Sequence, residues 1–360
     1  QYGKSQFAPN ALYLIGWIRF QQKKYTEAID NFNFMINAYP QSTEVPRAYY
    51  AIGDGYYNIN NYEQAIKYYK IVIESYPASA FAPEAIKSVQ YALMALGRED
   101  EAIQIANQYV ETNPDSPFAP EFQKKIGEMF YQGRKYQDAV TEYEKFLQKH
   151  PNNENVPEIL FWMGKSYVSM NNSDKAVDAF SNIASKYPNS DFAPLALLEN
   201  GLLQAELANI DRADSLFSLI LKKYPKNENA PQAGFERAVL KFKLGDTVSS
   251  MRLYIEVAET FAQTDFGDQA RYRVGMYYRN KNEFDTARKH FEVLAKVKEN
   301  PNIAWEAQYR IGEMYQREKL FDKAIEAYIV IKENFEGYED WYSLALLNLG
   351  ECYETVTNLE

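Results

Sequence analysis

The chain has 360 residues, 46% hydrophobic and 24% charged, a composition typical of a folded protein and not of a disordered one. Its formal net charge of −10 disfavours binding to nucleic-acid phosphates and suits a neutral or basic protein partner better. The longest apolar run is about six residues. A membrane-spanning helix needs roughly 20, so no direct span is predicted.

Glycine recurs every 37 residues, with one spacing of 38 at the end, and this period defines a repeating unit. The glycines are Gly16, Gly53, Gly127, Gly164, Gly201, Gly275, Gly312 and Gly350, and two slots hold Gln90 and Ala238 instead. A proline stands seven residues before seven of the slots, from Pro9 to Pro231. Because proline is pre-organised for the first helical turn, these prolines predict where the first helices begin.

A second helix follows in each unit after a short turn such as Asn60-Asn61. An alanine recurs twelve residues after the glycine slot, with Ser250 as the exception, and an aromatic residue usually follows four residues later. That spacing places both on one helical face. Dipeptides such as Tyr39-Pro40 end the helix, because the residue before proline disfavours helical backbone. The pattern predicts about nineteen helices and no strand.

These offsets of glycine, alanine, aromatic residue and proline resemble the tetratricopeptide repeat along the whole chain. The unit is 37 residues long, against about 34 in the family. Linker phrases such as FAPEA and FAPLA are similar to those of a bacterial branch that includes the outer-membrane-assembly lipoprotein and the Tol-Pal-associated repeat protein. The resemblance implies an all-α, right-handed superhelical solenoid of tandem helix-turn-helix repeats.

The predicted organisation is a single solenoid over residues 1–360. Its nine complete repeats are 7–43, 44–80, 81–117, 118–154, 155–191, 192–228, 229–265, 266–302 and 303–340, followed by a partial tenth at 341–360. Tyr2 aligns with the end of a second helix and residues 358–360 with the start of one. We therefore expect a fragment of a longer protein. The resemblance favours the periplasm or outer membrane of a Gram-negative bacterium, with the cytoplasm as the alternative.

Residues suited to catalysis are few. The two histidines, His150 and His290, lie in different repeats, and the one cysteine, Cys352, permits no intrachain disulfide and no cysteine metal cluster. No phosphate loop, HExxH zinc motif or dinucleotide fingerprint occurs. The sequence predicts a protein that is not an enzyme and has no catalytic site, metal site or cofactor.

In the family that the chain resembles, first-helix residues three before and one, four and five after the glycine slot line a concave groove. Here those positions are rich in aromatic residues, a composition typical of protein-binding surfaces. Arginines of the eighth and ninth repeats could bind an acidic peptide, although ion pairing with nearby Glu and Asp is the favoured interpretation. The candidate partner-binding residues are Tyr13, Trp17, Phe20, Tyr50, Tyr57, Tyr91, Tyr131, Phe161, Tyr272, Arg279, Tyr309 and Arg310.

The function predicted from these features is a scaffold that binds a peptide or protein surface in the groove, in cell-envelope assembly. Two alternatives stay open. The chain could be a structural protein that self-associates through uncapped repeat ends. It could also be the regulatory or targeting arm of a larger multidomain protein. Whether the groove aromatics bind a partner or only pack the helices is likewise open at this stage.

Overall fold

The computed structural model describes residues 7–334 and 339–357, which form nineteen α-helices and no strand. In chain order they are α1 (Ala8–Gln21), α2 (Tyr25–Ala38), α3 (Val45–Asn58), α4 (Tyr62–Ser75), α5 (Ala82–Ala95), α6 (Glu99–Thr112), α7 (Ala119–Gln132), α8 (Tyr136–Lys149), α9 (Val156–Ser169), α10 (Ser173–Lys186), α11 (Phe192–Glu206), α12 (Ile210–Lys223), α13 (Ala230–Lys243), α14 (Thr247–Thr260), α15 (Asp265–Asn280), α16 (Phe284–Leu294), α17 (Pro301–Arg317), α18 (Phe321–Asn334) and α19 (Glu339–Thr357). Odd-numbered helices are the first helices of the repeats. The predicted all-α array of tandem helix-turn-helix units is confirmed.

The chain consists of two compact units, one up to Asn182 and one from Ile183, with the division inside α10. Within each unit consecutive helices pack together, and first helices also contact the next first helix, as α1 contacts α3 and α15 contacts α17. The single solenoid and its repeat bounds stay a prediction. The alignments of Tyr2 and of residues 358–360 lie outside the described residues.

At the glycine slot, an aromatic ring of the second helix lies directly on the backbone of the first helix. A Cβ placed on Gly164 would lie 2.6 Å from the nearest ring carbon of Phe180, well inside van der Waals contact. The other pairs are Gly16 with Phe32, Gly53 with Tyr69, Gly127 with Tyr143, Gly201 with Phe217, Gly275 with Phe291 and Gly312 with Tyr328. All seven rings are fully buried. Glycine recurs at these seven slots because a Cβ there would overlap the ring as it is placed.

The two slots without glycine differ in how they keep the helices together. Gln90 stands in the repeat where the buried residue sixteen positions later is Ala106, so no ring needs the space. Ala238 keeps its ring, Tyr254, and there Ser250 replaces the usual alanine and donates a hydrogen bond of 2.8 Å to the Ala238 carbonyl. The repeat with Gln90 shows that the first helix itself does not require glycine at this slot. At the seven slots described above, glycine is found where an aromatic ring of the second helix covers the slot.

The turn between the two helices of a repeat passes through one residue with left-handed backbone. These residues are Lys23, Asn60, Gly97, Arg134, Asn171, Ala208, Gly245, Asn282 and Lys319, again 37 apart. The next N–H donates to the carbonyl five residues earlier, as from Asn209 to Gln204 at 2.8 Å, which satisfies a helix-end acceptor. Residues other than glycine and asparagine adopt this conformation at a cost of roughly 1 kcal/mol.

Substituting Gly164→Leu is expected to lower the free energy of unfolding by about 1–3 kcal/mol or more, because the side chain overlaps the Phe180 ring. In a Phe180→Ala background the same change should cost much less, since the ring's space is free. Gly350→Leu is the matched control, because a Cβ at this slot meets no atom within 4 Å. Equal losses at Gly164 and Gly350 in urea unfolding would contradict the ring contact.

Ala208→Gly is expected to raise the free energy of unfolding by about 0.5–1 kcal/mol, because glycine removes the strain of the left-handed backbone. Gly97→Ala, the reverse change at the equivalent turn, should lower it by a similar amount. Thermal unfolding of both variants checks the pair. Shifts of the same sign would show that this backbone conformation does not govern the turn's stability.

Candidate partner-binding surface

Five predicted contact residues lie three positions before a glycine slot and pack inside their own repeat. Each ring contacts the second-helix ring that covers the glycine. The centroid distances are 5.2 Å for Tyr13–Phe32, 5.5 Å for Tyr50–Tyr69, and 5.8 Å for Phe161–Phe180, Tyr272–Phe291 and Tyr309–Tyr328. Tyr13, Phe161 and Tyr309 are buried, whereas Tyr50 and Tyr272 are half-buried. These side chains hold helix pairs together, and a binding role for them stays a prediction.

Three more predicted residues, four positions after the slot, contact the residue that opens the second helix. Phe20 meets Tyr25 and Tyr57 meets Tyr62 edge to face at 5.2 Å, and Tyr131 meets Tyr136 at 5.5 Å. All three first-helix rings are half-buried. Each ring helps to close the helix hairpin of its repeat and stays partly exposed.

Trp17 and Tyr91, one position after the slot, are the exposed members of the predicted set. Their side chains are 36% and 50% exposed. Trp17 stacks on Phe20 with the ring centroids 5.3 Å apart. Met94 and Phe242, which were not among the predicted residues, are also exposed on first helices. Their position four after the slot was the signal that could have identified them.

Asp54, also one position after a slot, is a partly buried carboxylate that the sequence did not single out. The Tyr69 hydroxyl, from the ring that covers Gly53, donates a 2.7 Å hydrogen bond to it. Burial raises the pKa of Asp54 to about 6, the hydrogen bond from Tyr69 opposes the rise, and the charge of Glu84 adds to it. The tyrosine that covers the slot thus binds a carboxylate with a raised pKa on the first helix.

Tyr143 occupies the place of Tyr69 in another repeat, but its buried hydroxyl has no hydrogen-bond partner among the described residues. The position of Asp54 is taken there by Glu128, which binds Lys125 at 2.7 Å. Burial and the charge of Glu128 raise the pKa of Tyr143 above its ordinary value, so its phenol is neutral at physiological pH. The same ring position therefore gives different polar contacts in different repeats.

The predicted arginines of the second unit take part in an ion-pair cluster. Arg279 donates both through Nε, at 3.1 Å, and through Nη2 to Glu313. Arg310 binds Glu306 at 2.9 Å and Glu313 at 3.1 Å. Burial opposes the charge of Arg310, but hydrogen bonds to the two carboxylates outweigh it and raise its pKa. Ion pairing, the interpretation favoured from the sequence, is what the structure shows for these two residues.

The two histidines are half-buried and the cysteine is buried. Burial lowers the pKa of His150 and of His290, so both imidazoles favour the neutral form. Burial raises the pKa of the buried Cys352 thiol, which makes it a poor nucleophile. Within residues 7–334 and 339–357 no group of His, Cys, Asp or Glu is arranged to hold a metal ion. No described helix is both long and apolar enough to cross a bilayer.

Two family models match the chain. One, described as a tetratricopeptide repeat, matches residues 10–42, 47–79 and 306–337. The other, YfiO, described as an outer membrane lipoprotein, matches residues 99–213. The resemblance predicted from the sequence is thereby confirmed. No curated protein matches the chain.

Several solved structures are similar to this fold. The C-terminal part of a repeat-containing protein from Cytophaga hutchinsonii has a TM-score of 0.51 at 18% identity, covering 72% of this chain and 98% of that one. A tetratricopeptide repeat protein from Parabacteroides merdae has a TM-score of 0.43 at 18% identity, covering 74% and 98%. PilF from Pseudomonas aeruginosa has 0.41 at 15%, covering 63% and 96%. The likeness to the Cytophaga protein is one of fold.

Because its folded-state pKa is raised, Asp54 contributes stability that is present below its ordinary value of 3.8 and is lost as pH rises through about 6. Asp54→Asn keeps a neutral acceptor for Tyr69. Between about pH 4 and pH 7, wild type should lose on the order of 2–3 kcal/mol relative to this variant. Urea unfolding across that range measures the difference.

The control for this pH dependence is Asp30→Asn, at an exposed aspartate of α2. Its stability relative to wild type should stay nearly constant over the same range. An Asp54→Asn curve parallel to that of wild type would show that the carboxylate titrates at its ordinary pKa.

Proposed function

We propose, from the tetratricopeptide repeats that the chain carries, that it is a non-enzymatic scaffold whose first-helix surface binds an extended peptide or a protein. The observation that carries this proposal is the exposure of Trp17 and Tyr91 at the same position of α1 and α5. Large aromatic side chains of this kind anchor protein interfaces, where they are buried by the partner.

A cleft of about 380 Å³, lined in part by α5, the helix that carries Tyr91, supports binding at this surface. It is lined by Met94, Ile103 and Met129 together with polar residues such as Gln90. Its volume suits an inserted group of a ligand, and methionine side chains adapt their shape to what they contact. An apolar side chain of the bound segment would fill this cleft while Tyr91 packs against the segment beside it.

Charge and family resemblance narrow the kind of partner. The net charge of −10 favours a neutral or basic partner over a nucleic acid. The match of residues 99–213 to an outer membrane lipoprotein model supports a role in the cell envelope of a Gram-negative bacterium, in the periplasm or at the outer membrane. There the scaffold would hold partner proteins during envelope assembly.

The proposal predicts a binding defect confined to the first-helix surface. Peptides are selected from a random display library on the immobilised wild-type chain, and their affinities are measured by calorimetry. Trp17→Ala and Tyr91→Ala should each weaken binding roughly thirtyfold, because interface aromatics often contribute about 2 kcal/mol. Melting temperatures should change little, since both side chains are exposed.

The matched control is Phe34→Ala, which removes an aromatic side chain 62% exposed on the second helix α2. It should leave the affinity of the same peptides unchanged. Equal losses at Phe34 and Trp17, or no loss at either first-helix position, would contradict binding at this surface.

A further inference from the structure

A polar cleft in the second unit is lined by the first helices α15, α17 and α19. Its volume of about 480 Å³ lies in the range of small-ligand sites. The lining includes Gln269, Arg273, Asn300, Asn302, Glu306 and Trp341.

Arg273 lines this cleft and differs from its counterpart in the next repeat, Arg310. Arg310 binds the glutamates that lie four residues before it and three residues after it. The same two positions around Arg273 hold Gln269 and Met276. Across the part of the chain that the structure describes, no carboxylate lies within ion-pair distance of Arg273, and its side chain is exposed. The guanidinium in this cleft thus lacks the two glutamates that pair with the equivalent arginine, Arg310.

The acidic side chain of the lining, Glu306, is already engaged. Its Oε1 accepts hydrogen bonds from the Tyr272 hydroxyl and from Arg310, so its charge is already compensated within the protein. Asn300 uses its side-chain oxygen to accept from the Ile303 N–H, which leaves its amide NH₂ as a donor. Arg273 and the amide NH₂ of Asn300 are therefore donors that a ligand could engage, and the first of them is cationic.

We infer that this cleft binds one carboxylate of the partner peptide, held by the guanidinium of Arg273 with the amide of Asn300 as a further donor. The inference rests on the scaffold function proposed above and names the chemistry of one of its contacts. A guanidinium can donate two parallel hydrogen bonds to one carboxylate, and such charge-assisted bonds are stronger than neutral ones. Since the net charge of −10 repels polyacidic segments, the ligand is a single acidic group in a neutral or basic segment.

The ring of Trp341 adds a flat apolar wall. It lies 5.4 Å from the Tyr309 ring and 5.4 Å from the guanidinium carbon of Arg310, which hold it in place. A peptide whose carboxylate reaches Arg273 would rest its aliphatic portion on this wall. The arrangement combines one charged anchor with one apolar contact, which suits a short peptide segment.

Calorimetry with the full chain and three synthetic octapeptides tests this inference. The peptides share one Ala, Ser, Tyr and Lys sequence and have a central Glu with an amidated end, a central Gln with an amidated end, or a central Gln with a free carboxyl end. At least one of the two peptides with a carboxylate should have a dissociation constant about tenfold lower than that of the neutral peptide. The two carboxylate arms distinguish a side-chain ligand from a C-terminal one.

Arg273→Gln should reduce carboxylate binding to the level of the neutral peptide. Arg252→Gln, which removes the same charge from an exposed position of α14, should leave the tenfold preference intact. The double change Gln269→Glu with Met276→Glu gives Arg273 the two glutamates that Arg310 has. It should abolish the preference although Arg273 is still present.

The inference is overturned if Arg273→Gln keeps the preference, or if neither carboxylate peptide binds more tightly than the neutral one. Should all three peptides bind equally and lose affinity in Trp17→Ala, the scaffold function would stand without this carboxylate site. Failure of both these octapeptides and the display-selected peptides to bind would reject the scaffold function as well.

Discussion

The contact of an aromatic ring with a glycine backbone is the constraint on which the rest of this structure depends. Because the ring of Phe180 lies where a Cβ of residue 164 would be, the two helices of that repeat approach more closely than side chains would permit. The residue three positions earlier, Phe161, then packs on the same ring and becomes buried. Repeats that retain this contact share the same packing of the second-helix ring on the first-helix backbone.

That ring also connects the core of a repeat to its surface. Where it is phenylalanine the contact is purely apolar, and where it is tyrosine the hydroxyl reaches the polar edge of the first helix. Tyr69 donates to Asp54 and Tyr328 donates to Gln316 at 3.0 Å, whereas the Tyr143 hydroxyl has no partner within the described residues. A substitution in the core thus alters hydrogen bonding and proton affinity at the surface where a partner is proposed to bind.

The arginines of the second unit show that the carboxylates near an arginine decide whether its guanidinium is already ion-paired within the protein. Arg279 and Arg310 share Glu313, and their hydrogen bonds outweigh burial and lower the pKa of this carboxyl. Arg273 has the same place in its repeat as Arg310 but lacks the two glutamates. Equivalent positions of two repeats therefore hold one arginine in an ion-pair cluster and one without a carboxylate within ion-pair distance among the described residues.

The sequence alone determined the fold class, the helix count and the starts of the proline-marked first helices. It could do so because the period is long, regular and tied to local backbone preferences, such as that of Pro157 for a first turn. It also indicated the turns at Asn60 and Asn171, since asparagine tolerates left-handed backbone. It gave no sign of the same conformation at Lys23 or Ala208, where the helix ends impose it.

Which side chains face solvent was decided by the tertiary structure. The spacing placed Tyr13 and Trp17 on one helix surface, but only packing against Phe32 buries the first and leaves the second exposed. The glutamates that pair with Arg310 lie on its own helix and could be read from the sequence, but only the tertiary structure brings Arg279 of the preceding first helix to the same Glu313. Burial, and ion pairing between helices, depend on contacts between side chains of different helices. A periodic pattern gives the position of each residue on its own helix, but it does not say which side chains of other helices that residue contacts.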